Sequence, residues 1–234
     1  MDVLQLCAQK YSALCQYTYD CTIARKNTST DLKFTFSPYE FRHLAGLHRL
    51  ENPKLRKNSE RILKEILAGT ITLETLRSSA NWVEEGEKIL LRLDALSQLD
   101  RLMDEFLLIF GFSGEKLAAV KPPIHTRIDA DYLIKFHLQS GITFFFSVRQ
   151  RETYCGRSIF VNNVCDYSAG QTKFTLLKKS KHIFPPERRP CSTGGNLTRN
   201  NQRRFLLCAL SPAVCRTGSK IRPFCRRTAH GSGR

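Results

Sequence analysis

The chain has 234 residues, which is enough for one well-formed core or for one core plus a tail. Its hydrophobic fraction of 41% is typical of a globular protein, and no run of about 18 apolar residues predicts a membrane-spanning helix. The start carries Asp2 where a secretion signal would carry positive charge, so a cytoplasmic protein is expected.

The net charge of +16 is unevenly distributed. Residues 183–234 contain eleven Lys and Arg against one acid, Glu187, whereas residues 1–182 contain 26 against 20. This difference predicts a folded domain over 1–182 and a basic, disordered tail over 183–234. The alternative interpretation of the tail is a basic arm that binds nucleic acid.

Nine cysteines are an odd number, so they cannot all pair within one chain. None has the CxxC spacing of a zinc ribbon or a redox motif, and reduced thiols are the simplest interpretation. Walker-type loops, GxSxG elbows and paired catalytic carboxylates are also absent from the sequence. No metal and no cofactor are predicted.

The first hundred residues predict helices around one hairpin. Apolar residues at helical spacing indicate a helix over 2–16, and alternation of apolar and polar residues over 17–25 and 32–36 indicates a hairpin. Leucine-rich helical segments follow at 58–69, 72–79 and 83–106, the last with a bend around Ser97.

After residue 106 the hydrophobic period becomes that of strands. Segments rich in β-branched and aromatic residues predict strands near 107–112, 130–138, 141–148, 157–161 and 173–178. A further strand is predicted over 116–128, interrupted by Pro122-Pro123. Short strands joined by brief turns are typical of an antiparallel sheet. The predicted fold class is therefore α+β, with an N-terminal helix and hairpin, a helical block and a C-terminal antiparallel β-sheet.

The stretch 37–50 carries the strongest functional signal. Ser37, Pro38 and Glu40 have the spacing of a helix start with a capping box, and one helix up to Leu50 is predicted. Asn52-Pro53 would end it.

This predicted helix holds two imidazoles and two guanidiniums, from Arg42, His43, His48 and Arg49. Histidine exchanges protons near neutral pH and arginine binds phosphate oxygens, so together they favour phosphate chemistry. Residues five apart on one helix point about 140° away from each other, so His43 and His48 are not predicted to share a zinc ion. The alternative is that both are boundary residues without a chemical role.

Polar residues also surround a predicted turn at Gly170. Tyr167, Gln171, Thr172 and Lys173 offer hydroxyl, amide and ammonium donors that would position a phosphodiester, or they are ordinary solvated turn residues.

Three arginines flank the preceding hairpin turn. Arg149, Arg151 and Arg157 would form an electropositive groove if they share a face with Lys173, and would be exposed surface otherwise.

Segments 41–48, 130–133 and 170–179 resemble the fourth phage-associated subgroup of the Barnase/EndoU/colicin/RelE-like nuclease superfamily. The order of hairpin, histidine-bearing helix, leucine-rich helices and sheet is also similar, and the resemblance covers about residues 1–181. Members of that family end shortly after the last strand, whereas this chain continues into its basic tail.

The resemblance implies a metal-independent endoribonuclease that cleaves RNA by 2′-hydroxyl attack. The implied catalytic residues are His43 as general base or acid, His48 as its partner, and Arg157, Tyr167, Thr172 and Lys173 around the phosphate. The implied substrate-binding residues are Arg42, Arg49, Arg149 and Gln171. The implied partners are tRNA, mRNA or rRNA and an immunity protein or antitoxin. A catalytically inactive RNA- or protein-binding module of the same fold is the alternative.

Overall fold

The computed structural model describes residues 2–56, 58–106 and 108–183. The tail predicted over 183–234 lies outside the described residues apart from Ile183, as do four of the nine cysteines. The five described cysteines, at positions 7, 15, 21, 155 and 165, form no disulfide. No helix in the described ranges has the length and apolar character needed to cross a membrane.

The described residues contain seven α-helices and seven strands, so the α+β class is confirmed. The helices are α1 (Val3–Leu14), α2 (Phe41–Leu44), α3 (Ser59–Leu67), α4 (Leu73–Arg77), α5 (Trp82–Ser97), α6 (Leu99–Glu105) and α7 (Gly114–Ala118). The strands are β1 (Tyr17–Arg25), β2 (Thr28–Thr35), β3 (Leu108–Gly111), β4 (Tyr132–Leu138), β5 (Gly141–Gln150), β6 (Thr153–Val161) and β7 (Thr172–Ile183).

Local signals account for several helix boundaries. The side chain of Asp2 accepts a hydrogen bond from the N–H of Gln5, and that of Asn58 accepts one from Arg61, so both residues cap their helices. The predicted bend near Ser97 is confirmed, because α5 and α6 meet at Gln98.

The strands form one closed sheet in the order β1-β2-β6-β5-β4-β3-β7. The long strand β7 closes it, because its first residues pair with β3 and the remainder pairs with β1. Every neighbour is antiparallel except β2 and β6, which share a parallel bridge between Phe34 and Tyr154. The prediction of a separate C-terminal sheet is therefore wrong in one respect: the N-terminal hairpin is part of the same barrel.

The sheet has apolar residues on both faces. On β5, Phe145 points into the main core with the helices, whereas Phe144 and Phe146 point to the opposite side. Those two rings form a second cluster with Phe160 and Tyr167. β6 therefore runs between two differently packed sides of the molecule.

The strand predicted at 116–128 is wrong. The short helix α7 occupies its first residues, and an irregular loop continues to β4. Pro122 and Pro123 explain the difference, since they lack the N–H groups that a strand ladder needs. The N–H of Ile124 instead donates to the carbonyl of Leu117, which fastens the loop to α7.

The single helix predicted over 37–50 is also wrong. α2 has four residues, Gly46 follows with φ +77°, and a 3₁₀ turn then spans Leu47–Arg49. The predicted capping box does not form, because the carboxylate of Glu40 points inward and accepts from the backbone N–H of Gly156. Only glycine adopts this φ without strain, so Gly46 reverses the chain here.

A substitution at Gly46 tests this reversal. A Cβ there would lie 2.9 Å from Cδ of Arg92, whereas at Gly69, which has φ +74° after α3, the nearest side-chain atom is 3.8 Å away. We expect Gly69→Ala to lower the free energy of unfolding by about 1 kcal/mol through backbone strain. Gly46→Ala should cost about 2 kcal/mol more because of the added clash. Urea unfolding of both variants measures the difference, and equal costs would contradict the packing described.

Candidate active site

A cavity of about 620 Å³ opens beside β6. Its histidine-bearing wall comes from α2, the turn after it and α5, and residues 125–128 of the loop that follows α7 also line it. β6, Asn162 and Tyr167 complete the lining. We call this cavity the cleft.

The lining of the cleft is strongly positive. None of the described residues that line it is Asp or Glu, while five carry a permanent positive charge and three are histidines. A cavity with one sign of charge concentrates ligands of the opposite sign. The cationic residues are Arg49, Lys88, Arg92, Arg127 and Arg157, and the histidines are His43, His48 and His125.

The rings of His43 and His48 stack, with centroids 4.3 Å apart and an angle of 18° between their planes. The prediction that they point away from each other is wrong, because it assumed one continuous helix. Gly46 turns the chain back so that His48 lies over His43.

The environment of the stacked pair disfavours protonation. Burial, followed by the positive charge of Arg157, lowers the pKa of His43. Burial and the neighbouring His43 lower the pKa of His48 to about 4. Both imidazoles are therefore neutral near pH 7, which is the form that accepts a proton.

Arg92 is the most unusual residue of the cleft. It is only 7% exposed, and its guanidinium lies 5.7 Å from the ring centroid of Phe160. Burial lowers its pKa to about 10, so it stays charged at neutral pH. Among the described residues it has no hydrogen bond and no ion pair, since the neighbouring Glu85 binds Arg49 and Lys88 instead. A buried charge without a partner costs several kcal/mol, which a bound anion would offset.

Arg157 enters the cleft from an irregularity in β6. Phe146 pairs with Ser158 and Ser147 pairs with Gly156, so Arg157 is the extra residue of a β-bulge. Bulges re-aim side chains and are common next to active sites. The bulge therefore gives Arg157 a direction that regular alternation along the strand does not predict.

Glu40 fastens α2 to β6 directly beside Arg157. Its Oε2 accepts from the backbone N–H of Gly156 at 3.2 Å and from the hydroxyl of Tyr11 at 3.4 Å. Burial raises the pKa of this carboxyl to about 7. The distance between the histidine-bearing wall and β6 thus depends on a half-buried carboxyl whose pKa is about 7.

The structure brings together only part of the predicted set. His43, His48, Arg49, Arg157 and Tyr167 line the cleft. Five other predicted residues, Arg42, Arg149, Gln171, Thr172 and Lys173, do not line it.

The contacts of these outlying residues are local. Gln171 exchanges two hydrogen bonds with the backbone of Ser113, and Thr172 accepts from Nζ of Lys116 at 2.6 Å. The Nε of Arg149 donates to the carbonyl of Arg151. Lys173 pairs through its backbone with Phe110 of β3, and Nε of Arg42 is buried without a hydrogen-bond partner.

Sequence reasoning missed Lys88, Arg92, His125, Arg127 and Asn162, which all line the cleft. Arg92 had a usable signal, because it falls three residues after Ile89 on the buried side of α5, where a charge is unexpected. His125 and Arg127 gave no usable sequence signal, since residues 116–128 were predicted to be a strand.

Within the described ranges, no group of three or more His, Cys, Asp or Glu side chains is arranged to hold a metal ion. The residues that converge in the cleft are suited to binding an anion and to accepting a proton.

The chain matches a protein-family model. The model of the phage-Barnase-EndoU-ColicinE5/D-RelE like nuclease4 family matches residues 3–183, which includes every residue of the cleft. No curated protein and no solved structure matches the chain.

The raised pKa of the Glu40 carboxyl predicts a pH-dependent stability difference. Its pKa is higher in the folded state than the ordinary value of 4.5, so the stability that wild type has at low pH is lost as pH rises through about 7. Glu40→Gln keeps an acceptor for Gly156 and cannot ionise. We expect it to gain on the order of 2 kcal/mol relative to wild type between pH 5 and pH 8.

Urea unfolding at both pH values measures this gain. All other titratable groups are the same in both proteins, so the comparison at each pH isolates Glu40. The control for removing a carboxylate is Glu115→Gln, since Glu115 is exposed. A difference in stability that does not change with pH would show that the pKa of Glu40 is not raised in the folded state.

Proposed function

Because the chain belongs to the phage-Barnase-EndoU-ColicinE5/D-RelE like nuclease4 family, we propose that the cleft cleaves RNA by attack of a 2′-hydroxyl on the adjacent phosphodiester. The observation that carries the proposal is the unpartnered, buried Arg92 beside two neutral imidazoles in an acid-free cleft. Such cleavage needs a proton acceptor and fixed positive charge, and these residues offer both without a metal ion.

His43 is the proposed general base. It is neutral near pH 7, and Arg157 is the first of the positive charges that act on it. His48 has a pKa of about 4, which makes it a weaker base than an ordinary histidine. Its proposed role is therefore to hold the ring of His43 by stacking. A positioned base contributes about 10² to 10⁴-fold to such a reaction.

Arg92 and Arg157 are the proposed binders of the phosphate whose negative charge grows during attack. Neither has an ion-pair partner among the described residues. Their positive charge is in place before the substrate arrives, so little reorganisation is needed in the transition state. Arg49 and Lys88 pair with Glu85, so their proposed role is to hold flanking phosphates and not the reacting one. The proposed role of Tyr167 is to orient the substrate.

The second candidate is an inactive module of the same fold that binds RNA or a protein. The observation that favours it is that Thr172, Lys173, Gln171 and Arg149 lie outside the cleft. The proposed substrate is a tRNA, mRNA or rRNA, and an immunity protein or antitoxin is the proposed partner in either case.

Cleavage of total RNA in EDTA tests the catalytic proposal. We expect fragments with 2′,3′-cyclic phosphate ends, and a fall of about 10² to 10⁴-fold in rate for His43→Ala. The matched control is His137→Ala, since His137 is an exposed histidine on β4 outside the cleft. Intact RNA, or equal rates for both variants, would favour the inactive module.

Arg92 predicts opposite changes in stability and activity. Arg92→Met removes a buried, unpaired charge, so the free energy of unfolding should rise by about 1 to 2 kcal/mol while kcat falls by about 10²-fold. Arg101→Met, an exposed arginine of α6, should change stability by less than about 0.5 kcal/mol and leave kcat unchanged. Denaturant unfolding and initial rates measure both effects. A loss of stability in Arg92→Met would mean that Arg92 supports the fold rather than an anion.

A further inference from the structure

The stacked histidines do not supply a proton donor for the leaving 5′-oxygen of the proposed reaction. In phosphoryl transfer the attacking and the leaving oxygen lie roughly in line on opposite sides of phosphorus. A group that takes the proton from the 2′-oxygen and a group that gives one to the 5′-oxygen therefore approach from opposite sides. Rings only 4.3 Å apart and nearly parallel occupy the same side.

The loop between α7 and β4 brings a third imidazole to the cleft. His125 lines the same cavity as His43 and His48 and comes from a different segment of the chain. Leu44 and Leu47, which adjoin the stacked pair in sequence, pack into the main core. Ile128, which is close to His125 in sequence, packs against the second cluster.

The segment around His125 is held on both sides. The N–H of Ile124 donates to the carbonyl of Leu117 at 3.0 Å, and the N–H of Ile128 donates to the hydroxyl of Thr126 at 3.1 Å. Further on, the N–H of Asp131 donates to the carbonyl of Ser147 on β5. These bonds fix the backbone on which His125 is carried, and the imidazole itself stays exposed to the cleft.

We propose that His125 is the general acid of the RNA cleavage proposed above, on which this inference rests. His43 takes the proton of the 2′-hydroxyl, and the 2′-oxygen forms a bond to phosphorus. The bond from phosphorus to the 5′-oxygen breaks, and His125 in its imidazolium form gives its proton to that oxygen. The products are a 2′,3′-cyclic phosphate and a free 5′-hydroxyl, and exchange of protons with water restores both histidines.

The other proton-bearing groups of the cleft fit this role less well. Arginine does not give up its proton in proteins, which leaves out Arg92, Arg127 and Arg157. Lys88 is held by Glu85 at 2.8 Å. Burial raises the pKa of Tyr167, so its hydroxyl is a weak acid. Of the described residues that line the cleft, His125 is the one imidazole outside the stacked pair.

A pair of substrates with different leaving groups tests the assignment. One is a short RNA with an ordinary phosphodiester, and the other has sulfur in place of the bridging 5′-oxygen at one linkage. A thiolate leaves without protonation, so it needs no general acid. We expect His125→Asn to cleave the ordinary RNA about 10² to 10⁴-fold more slowly than wild type and to cleave the sulfur substrate within about 10-fold of the wild-type rate.

Two controls separate the possible outcomes. His43→Ala should be slow on both substrates, because removal of the base is not rescued by a better leaving group. His137→Asn should match wild type on both, and circular dichroism of His125→Asn should match wild type because the residue is exposed.

The inference is overturned if wild type cleaves RNA and His125→Asn cleaves it at the same rate. It is also overturned if the cleavage rate of His125→Asn falls by the same factor on both substrates. If wild type leaves both substrates intact, the proposed function fails as a whole. That result is distinct from a neutral His125 variant in an active enzyme.

Discussion

The contact between Gly46 and the side chain of Arg92 is the constraint on which the cleft depends. Because Gly46 has no Cβ, Arg92 can lie directly beneath it, buried in the wall formed by α5. The positive φ of the same glycine reverses the chain and stacks His48 on His43. One residue without a side chain therefore sets the position of the buried charge and the arrangement of the imidazoles. Glu40 and the bulge at Arg157 then fix the distance from this wall to β6.

The cleft gathers charge at the expense of stability. Arg92 has no partner of opposite sign, and the lining contains no carboxylate within the described residues. Burial lowers the pKa values of His43 and His48, and the neighbouring guanidiniums lower them further. An arrangement of this kind is unfavourable in an empty pocket and favourable around an anion. Fixed positive charge of this type is what the transition state of phosphodiester cleavage requires.

Much of the local structure was predictable from sequence, because local signals determine it. Asn58 caps α3, the alternation over 17–25 gives β1, and the bend after Ser97 divides two helices. The closure of the sheet was not predictable, since β1 and β7 are separated by most of the domain and no local pattern records their pairing.

The candidate site divides in the same way. Residues on or beside α2 were found because imidazoles and guanidiniums stand close together in the sequence. Arg92 and His125 were missed because only tertiary packing brings them to the cleft beside α2. Arg92 interrupts the apolar side of α5, and His125 lies in the proline-containing loop after α7. The stack of His43 on His48 was mispredicted because the helix was continued through Gly46, although glycine commonly ends helices.

The most direct measurement is an NMR titration of the histidine rings with and without a 2′-O-methyl dinucleotide, which binds as RNA does but cannot attack its own phosphate. If a phosphate occupies the cleft, its negative charge offsets the guanidiniums around His43. The pKa of His43 should then rise on binding, while the ring signals of the exposed His137 do not move. Saturation of the protein by the dinucleotide with no change at His43 would contradict the account, and so would failure of the dinucleotide to bind.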